Sequence, residues 1–332
     1  MRHKTGVVIP VYFPEHLDSR QGEALLADTI AGYCEQVADS GYICLSVDGS
    51  PVGTEVAERL AEKFRVACVG SAENGGKLQA AGNGVRFLLA NRGLQYVAII
   101  DQDGDHFAHE LLNFLWAADH IAHHKQTDRI LVLGRRITRH RSMGFLRGEL
   151  EELCDRMLLD ALQYRAVVAQ RPLALESTVL FDEFPDFHSG YKLFSTPTAN
   201  AVFLEAPQQA GMSKRCYSQH ACEAVMVVEA IERGAYLGVV NRTTFNEQPI
   251  STFGKFNQVQ LAADMILWPC KRLDIPIPFV EQWLTNHLSR LMLHTIAPEG
   301  RNTLEQVRST VLATLYGIPE YRPTPLFQTL FL

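Results

Sequence analysis

Residues 96–106 read YVAIIDQDGDH: a short apolar run, then aspartates on every second position, Asp101, Asp103 and Asp105. The run has the length and β-branched character of a buried strand. Carboxylates crowded at the end of such a strand repel one another and resist ionisation unless a cation neutralises them. A hard divalent ion with oxygen ligands, Mg²⁺ or Mn²⁺, suits that surrounding, with a diphosphate completing its shell. A solvated strand-end turn, where Asp is common, is the plainer alternative.

The segments on either side place this strand in a larger pattern. GVVIPVY (6–12), YICLSVDGS (42–50), RVACVG (65–70) and RILVLGRR (129–136) read as further strands. Between them, residues 23–41, 51–64, 75–93 and 109–124 have helical spacing, the first three with Gly or Pro at an end. Strands alternating with helices across short links predict parallel strands covered on both faces. Residues 144–162 read as an amphipathic helix, 181–204 carry loop and strand signals, and 220–234 are helical again. Beyond residue 255 the pattern is helical with proline breaks. The expectation is an α/β domain over 1–254, built on a doubly wound, mostly parallel sheet, and a helical extension over 255–332.

Composition narrows the function classes. A formal net charge of −6 argues against a nucleic-acid partner, which calls for a basic face. Hydrophobic and charged fractions of 47% and 20% are those of a soluble globular enzyme. No apolar stretch reaches the length of a membrane span, and MRHKT at the start does not resemble a secretory signal. Seven cysteines without a C-x-x-C pair predict reduced thiols and a cytoplasmic setting.

Three familiar readings of DQDGDH are testable by position. A calcium-binding EF-hand loop needs Gly sixth and Glu twelfth, where His106 and Leu112 stand. A dinucleotide fold needs G-x-G-x-x-G after the first strand, and VVIPVYFPEH contains no glycine. A phosphatase of the haloacid-dehalogenase type, with Asp101 as nucleophile, also places Asp-x-Asp after an apolar strand. It would usually continue with Gly-Thr and sit on its first strand, whereas Gly104 and Asp105 follow here and three strands precede.

Several stretches taken together resemble the GT-A glycosyltransferases of family 2, and most closely the branch that makes polyprenyl-phosphate sugars. They are VVIPVY, SVDGS, NGGK, IIDQDGDH, LVLGRR, DFHSGYKLFS (186–195) and VVEAIERG (227–234), in that order over about residues 6–255. The resemblance implies a GT-A fold and transfer of a single sugar, with inversion, from a UDP- or GDP-sugar. It places Pro10, Tyr12, Asp48, Lys77 and Asp101 at the donor nucleotide. Asp101, Asp103 and Asp105 would hold Mn²⁺ or Mg²⁺, and Arg136, Gly190 and Lys192 would face an acceptor or phosphate. Asp186 and Asp103 would be catalytic, Asp186 as a base toward an acceptor hydroxyl. The acceptor class stays open among small molecules, glycans and lipid phosphates, and both a homo-oligomer and a peripheral place at the membrane are compatible with it. Phe13 and Leu78 depart from the family pattern, where Asn and Gly are usual, which keeps a catalytically idle binding domain as an alternative.

The remaining candidates read as structural. His120, His123 and His124 fall on one helix without a third ligand nearby, so a polar stripe is favoured over zinc. Arg135, Arg136, Arg139, His140, Arg141 and Arg147 form a local basic cluster that reads as a solvated loop or an anion clamp.

Overall fold

In the first strand, Val7, Ile9 and Val11 alternate with Val8 in the side chains they send to the two faces, and all four are fully buried. A strand buried on both faces requires a layer of helices on each side. The computed structural model describes residues 4–14, 19–90, 93–137, 139, 144–175, 185–244 and 256–327, and supplies those layers. The strands are β1 (Thr5–Val11), β2 (Ile43–Asp48), β3 (Ala67–Ser71), β4 (Tyr96–Ile99), β5 (Ile130–Arg136), β6 (Lys192–Ser195) and β7 (Tyr236–Arg242). They form one seven-stranded sheet in the order β3-β2-β1-β4-β6-β5-β7.

All neighbours are parallel except β6, which runs antiparallel between β4 and β5, pairing Tyr96 with Ser195 and Leu131 with Phe194. The expected doubly wound, mostly parallel sheet is therefore the observed one. β1 pairs with β2 from Val7↔Ile43 to Val11↔Val47 and with β4 from Thr5↔Tyr96 to Val8↔Ile99. The chain proceeds from β1 to β2 and β3 on one side, then returns to β4 on the other. The crevice between the carboxyl ends of β1 and β4 is thus a topological switch point, where open α/β sheets gather ligands.

The helices before the middle of the chain are α1 (Ser19–Gln36), α2 (Pro51–Phe64), α3 (Lys77–Leu89), α4 (Leu111–Lys125) and α5 (Phe145–Val168). They are followed by α6 (Thr196–Phe203), α7 (Cys222–Glu232), α8 (Gln258–Arg272), α9 (Ile277–Leu288), α10 (Leu293–Ile296) and α11 (Gly300–Tyr316). One apolar cluster joins α1, α2 and α4 to the sheet face of Ile9, Leu45 and Ala98. The other joins Val8, Val97 and Leu131 to α3, α5 and α7, and continues through Trp268, Trp283 and Val307 of the C-terminal helices.

Local chemistry sets the ends that matter for the site. Ser50 caps α2, accepting from the Gly53 N–H at 3.0 Å while its hydroxyl donates to the Phe13 carbonyl at 2.7 Å. That bond seats Phe13 in the core at 5% exposure, so the residue standing in place of the family's Asn serves packing. The α6 helix within 196–203 escapes the strand and loop signals of that region. Thr196 and Pro197 open it, Pro occupying a first-turn position where its missing N–H costs nothing. The expected division between residues 254 and 255 falls outside the described residues, as do His140 and Arg141. No helix among the described residues is long and apolar enough to cross a membrane. All seven cysteines are free.

Candidate functional site

A cleft of about 1070 Å³ opens over the carboxyl ends of β1, β2 and β4. Pro10, Tyr12, Asp48, Lys77, Asp101, Asp103, Arg136 and Gly190 line it together. The expected residues from six separate stretches of sequence thus converge on one surface.

The two sides of the switch point are tied by an amide. Gln102 accepts from the Tyr12 N–H at 3.0 Å and donates to the Tyr12 carbonyl at 2.7 Å. The Tyr12 ring is left 38% exposed at the cleft mouth. Asp48, at the end of β2, accepts from the N–H groups of Gly75 and Gly76 at 2.7 and 2.9 Å. Burial pushes its pKa up, against the pull of those two donors. Its carboxylate therefore shapes the loop that delivers Lys77 to the start of α3. The turn after Asp48 requires glycine: Gly49 has φ +59° and a Cβ there would strike the backbone of Glu73 and Asn74.

Lys77 is the hub of a chain of alternating charge. Its Nζ lies 2.5 Å from Asp101 Oδ1 and 2.6 Å from Glu223 Oε1. Glu223 pairs through its other oxygen with Lys192, whose ammonium also donates to the Ser189 carbonyl. Burial opposes the charge on Lys77, yet Asp101 and Glu223 outweigh it and hold its pKa well above the ordinary lysine value. Burial alone would raise Asp101; the Lys77 ammonium reverses this and holds it far below the carboxylate range. His106 is itself kept neutral by burial and by the nearby Arg242, and its Nδ1 accepts from the Asp101 N–H at 2.9 Å.

Asp103 has the opposite fate. Burial and the neighbouring Asp101 push it up to about 7. The acidic end of β4 therefore carries more negative potential than its own cations balance. Asp105 adds less to it, being matched by a guanidinium. That side chain is 2% exposed, with Oδ2 lying 3.2 Å from Nη1 of Arg242, whose Nη1 also donates to the Asp105 carbonyl at 2.9 Å. The expectation of three aspartates on one cation therefore loses Asp105 to Arg242, which leaves Asp101 and Asp103 as the remaining candidates. Among the described residues no three His, Cys, Asp or Glu side chains already converge as a ready metal cluster. Two carboxylates nonetheless fit Mg²⁺ or Mn²⁺, which commonly takes one or two from protein and the rest from phosphate and water.

Two other assignments change. Asp186 is fully buried, with Oδ2 accepting from Arg136 Nε at 2.7 Å and Oδ1 facing Arg136 and Arg139 at 2.6 and 3.1 Å. Burial would raise its pKa, but the two guanidiniums overcome it and hold the carboxyl far below the usual range. So stabilised a carboxylate is a poor proton acceptor, and Asp186 is an anchor rather than a base. Lys192 is fully buried on Glu223 and is not among the residues that line the cleft. Arg136 does line the cleft, with its guanidinium shared between Asp186 and Glu151 at 2.7 Å. Glu229 of the VVEAIERG segment is bound by Arg233 and Arg272 at 2.9 and 2.6 Å, a helix-packing role. On α4 the His120 and His124 rings stack on each other at 3.9 Å.

The cleft also contains two dyads that local motifs do not reveal. His188 Nδ1 lies 2.6 Å from Asp155 Oδ1, and His220 Nδ1 lies 2.6 Å from Asp264 Oδ2. Both histidines line the cleft, and the Nε2 of each is buried without a hydrogen-bond partner. The partners stand 33 and 44 residues apart in the chain, so only tertiary structure pairs them.

No protein-family model and no curated protein sequence matches the chain. Among solved structures, it is similar to residues 1–349 of Staphylococcus aureus TarS, at 12% identity and a TM-score of 0.42, over 95% of this chain and 92% of that one. It is also similar to the 4-diphosphocytidyl-2C-methyl-D-erythritol synthase of Anaerococcus prevotii, at 9% identity and a TM-score of 0.40, over 78% of this chain and 94% of that one.

Proposed function

We propose that this chain is a divalent-metal-dependent glycosyltransferase, moving one sugar from a nucleoside-diphosphate donor to an acceptor bound in the same cleft. The observation that carries the reading is the Asp101–Asp103 pair at the sheet's switch point, with Asp103 pushed up to about 7 and Lys77 beside it. An acidic surplus next to a lysine is chemically matched to a cation bridged to a diphosphate. Asp101 and Asp103 would hold the Mg²⁺ or Mn²⁺, which when bound offsets charge on the departing diphosphate. Pro10 and Tyr12 border the nucleotide end of the cleft, and Lys77 offers a second positive charge to the phosphates. Inversion, and UDP or GDP as the carrier, follow the resemblance of the motifs to family 2.

Thermal unfolding with UDP or GDP, each with and without Mn²⁺, on wild type and Asp103→Ala tests this. Nucleotide at a hundred times its dissociation constant adds about 2.7 kcal/mol of stability. A metal-dependent shift with one nucleotide, lost in the variant, is expected. No shift with either nucleotide overturns the reading.

A further inference from the structure

We propose that His188, oriented by Asp155, is the general base that activates the acceptor, and hence that the acceptor is an alcohol rather than a phosphate. The inference rests on the transferase reading and names the substrate class of the same cleft.

Asp155 is fully buried, and its Oδ1 accepts both from the His188 N–H at 3.2 Å and from the ring Nδ1 at 2.6 Å. Its other oxygen faces Arg139 at 2.8 Å. A carboxylate flanked in this way has only lone pairs to offer, so the proton between the two groups sits on Nδ1. With the proton on Nδ1, the neutral form of the ring presents Nε2 as a bare acceptor. That Nε2 has no partner, although His188 is only 7% exposed. Leaving a buried polar atom unpaired is unfavourable, an arrangement that makes sense where a ligand brings the missing donor.

The loop brings His188 into the cleft that Asp101 and Gly190 also line. Asp186 is locked to Arg136 at its start, and Gly190 abuts the Asp101 carboxylate at its far side. His188 lies between them, its Cα within about 7 Å of that of Gly190 by chain geometry. His220 repeats the dyad elsewhere, but its ring stands edge-on to Phe256 at 5.1 Å, beside Leu261 and Met265 of the cleft wall. That apolar side suits the carbon body of a ligand more than its reacting oxygen.

In the step itself the acceptor oxygen bonds to the anomeric carbon as the bond from that carbon to the diphosphate oxygen breaks. The bonding pair leaves with the diphosphate, and the hydroxyl proton passes to Nε2 of His188. An acceptor phosphate arrives already anionic and would need no such base.

The test uses the full chain with Mn²⁺, UDP-glucose and GDP-mannose as donors, and glycerol or inorganic phosphate as acceptor. Wild type is expected to release nucleoside diphosphate faster with glycerol than with phosphate. His188→Gln should lower that release by roughly 10²- to 10⁴-fold with UDP or GDP binding retained. In His188→Gly, added imidazole should restore release, which a merely structural role would not allow. Nitrogen-15 NMR of wild type should show Nε2 unprotonated. A proton on Nε2, an unimpaired His188→Gln, a preference for phosphate, or no glycerol-stimulated release overturns the base assignment while nucleotide binding still stands. Failure of wild type to bind either nucleotide removes the donor reading itself, and this inference with it.

Discussion

The carboxylate of Asp101 occupies the space that a side chain at position 190 would need. A Cβ on Gly190 would overlap Oδ2 and come within 2.9 Å of Cγ. Glycine is used here for close approach and not for an unusual backbone angle. Gly190→Ala should therefore displace Asp101 from Lys77 while the sheet remains folded. Metal-dependent nucleotide binding should fall at least tenfold, measured by calorimetry, with a far-UV spectrum like wild type. Unchanged binding would show that Asp101 can move without consequence.

The raised Asp103 makes a prediction about stability and pH. Its folded value is about 7, against an unfolded value near 3.9, so the folded chain holds the extra proton between those limits. Stability from this group is complete below the unfolded value and is lost as pH rises to about 7. Asp103→Asn should remove that loss and be more stable than wild type at pH 8 by about 1–2 kcal/mol, the full shift being discounted for partial exposure. Urea unfolding in EDTA at pH 5 and pH 8 measures it. A gap equal at both pH values would refute the assignment.

Asp186 should behave as an anchor. Arg136→Met leaves a fully buried carboxylate with part of its charge unmatched, a loss on the order of 3–5 kcal/mol for a buried pair. Denaturant unfolding should register that loss in Arg136→Met and a smaller one in Asp186→Asn. An Asp186→Asn chain of wild-type stability but with no turnover would restore the aspartate to a chemical role.

Lys77→Met should unbalance Asp101 and Glu223 together. Because the lysine side chain keeps 26% exposure, the expected cost is about 1–3 kcal/mol rather than that of a fully buried pair. Adding Asp101→Asn should recover part of it, since the stranded charge is removed as well. Strictly additive losses in the double-mutant cycle would mean that the 2.5 Å pair carries no coupling.

What was legible in the sequence was the part written locally. β-branched runs and capped helices located β1, β2, β4 and β5, and PVGTEVAERLAEKF marked α2 at Pro51–Phe64 to the residue, because Ser50 and Pro51 specify its start. Alternating carboxylates after an apolar run pointed to the floor of the cleft. The direction of β6 was not legible, since KLFS reads the same whichever way it pairs. Nor was the sorting of the acidic residues: Asp103 and Asp105 look alike in DQDGDH. Arg242, 137 residues further along, decides which of them is neutralised. The same holds for His188, whose character depends on an aspartate from a distant helix.

The contact between Lys77 and Asp101 has a consequence for the order of events. A cation that takes Asp101 alone leaves Lys77 with Glu223 as its single remaining partner, and an anion that takes Lys77 alone leaves the aspartate without its ammonium. Arriving together, the two ligands exchange partners with the pair, and neither protein charge is left unmet. On the proposed function, the ion pair would act as a lock with two keys: metal and diphosphate would each bind weakly by themselves and strongly in each other's company.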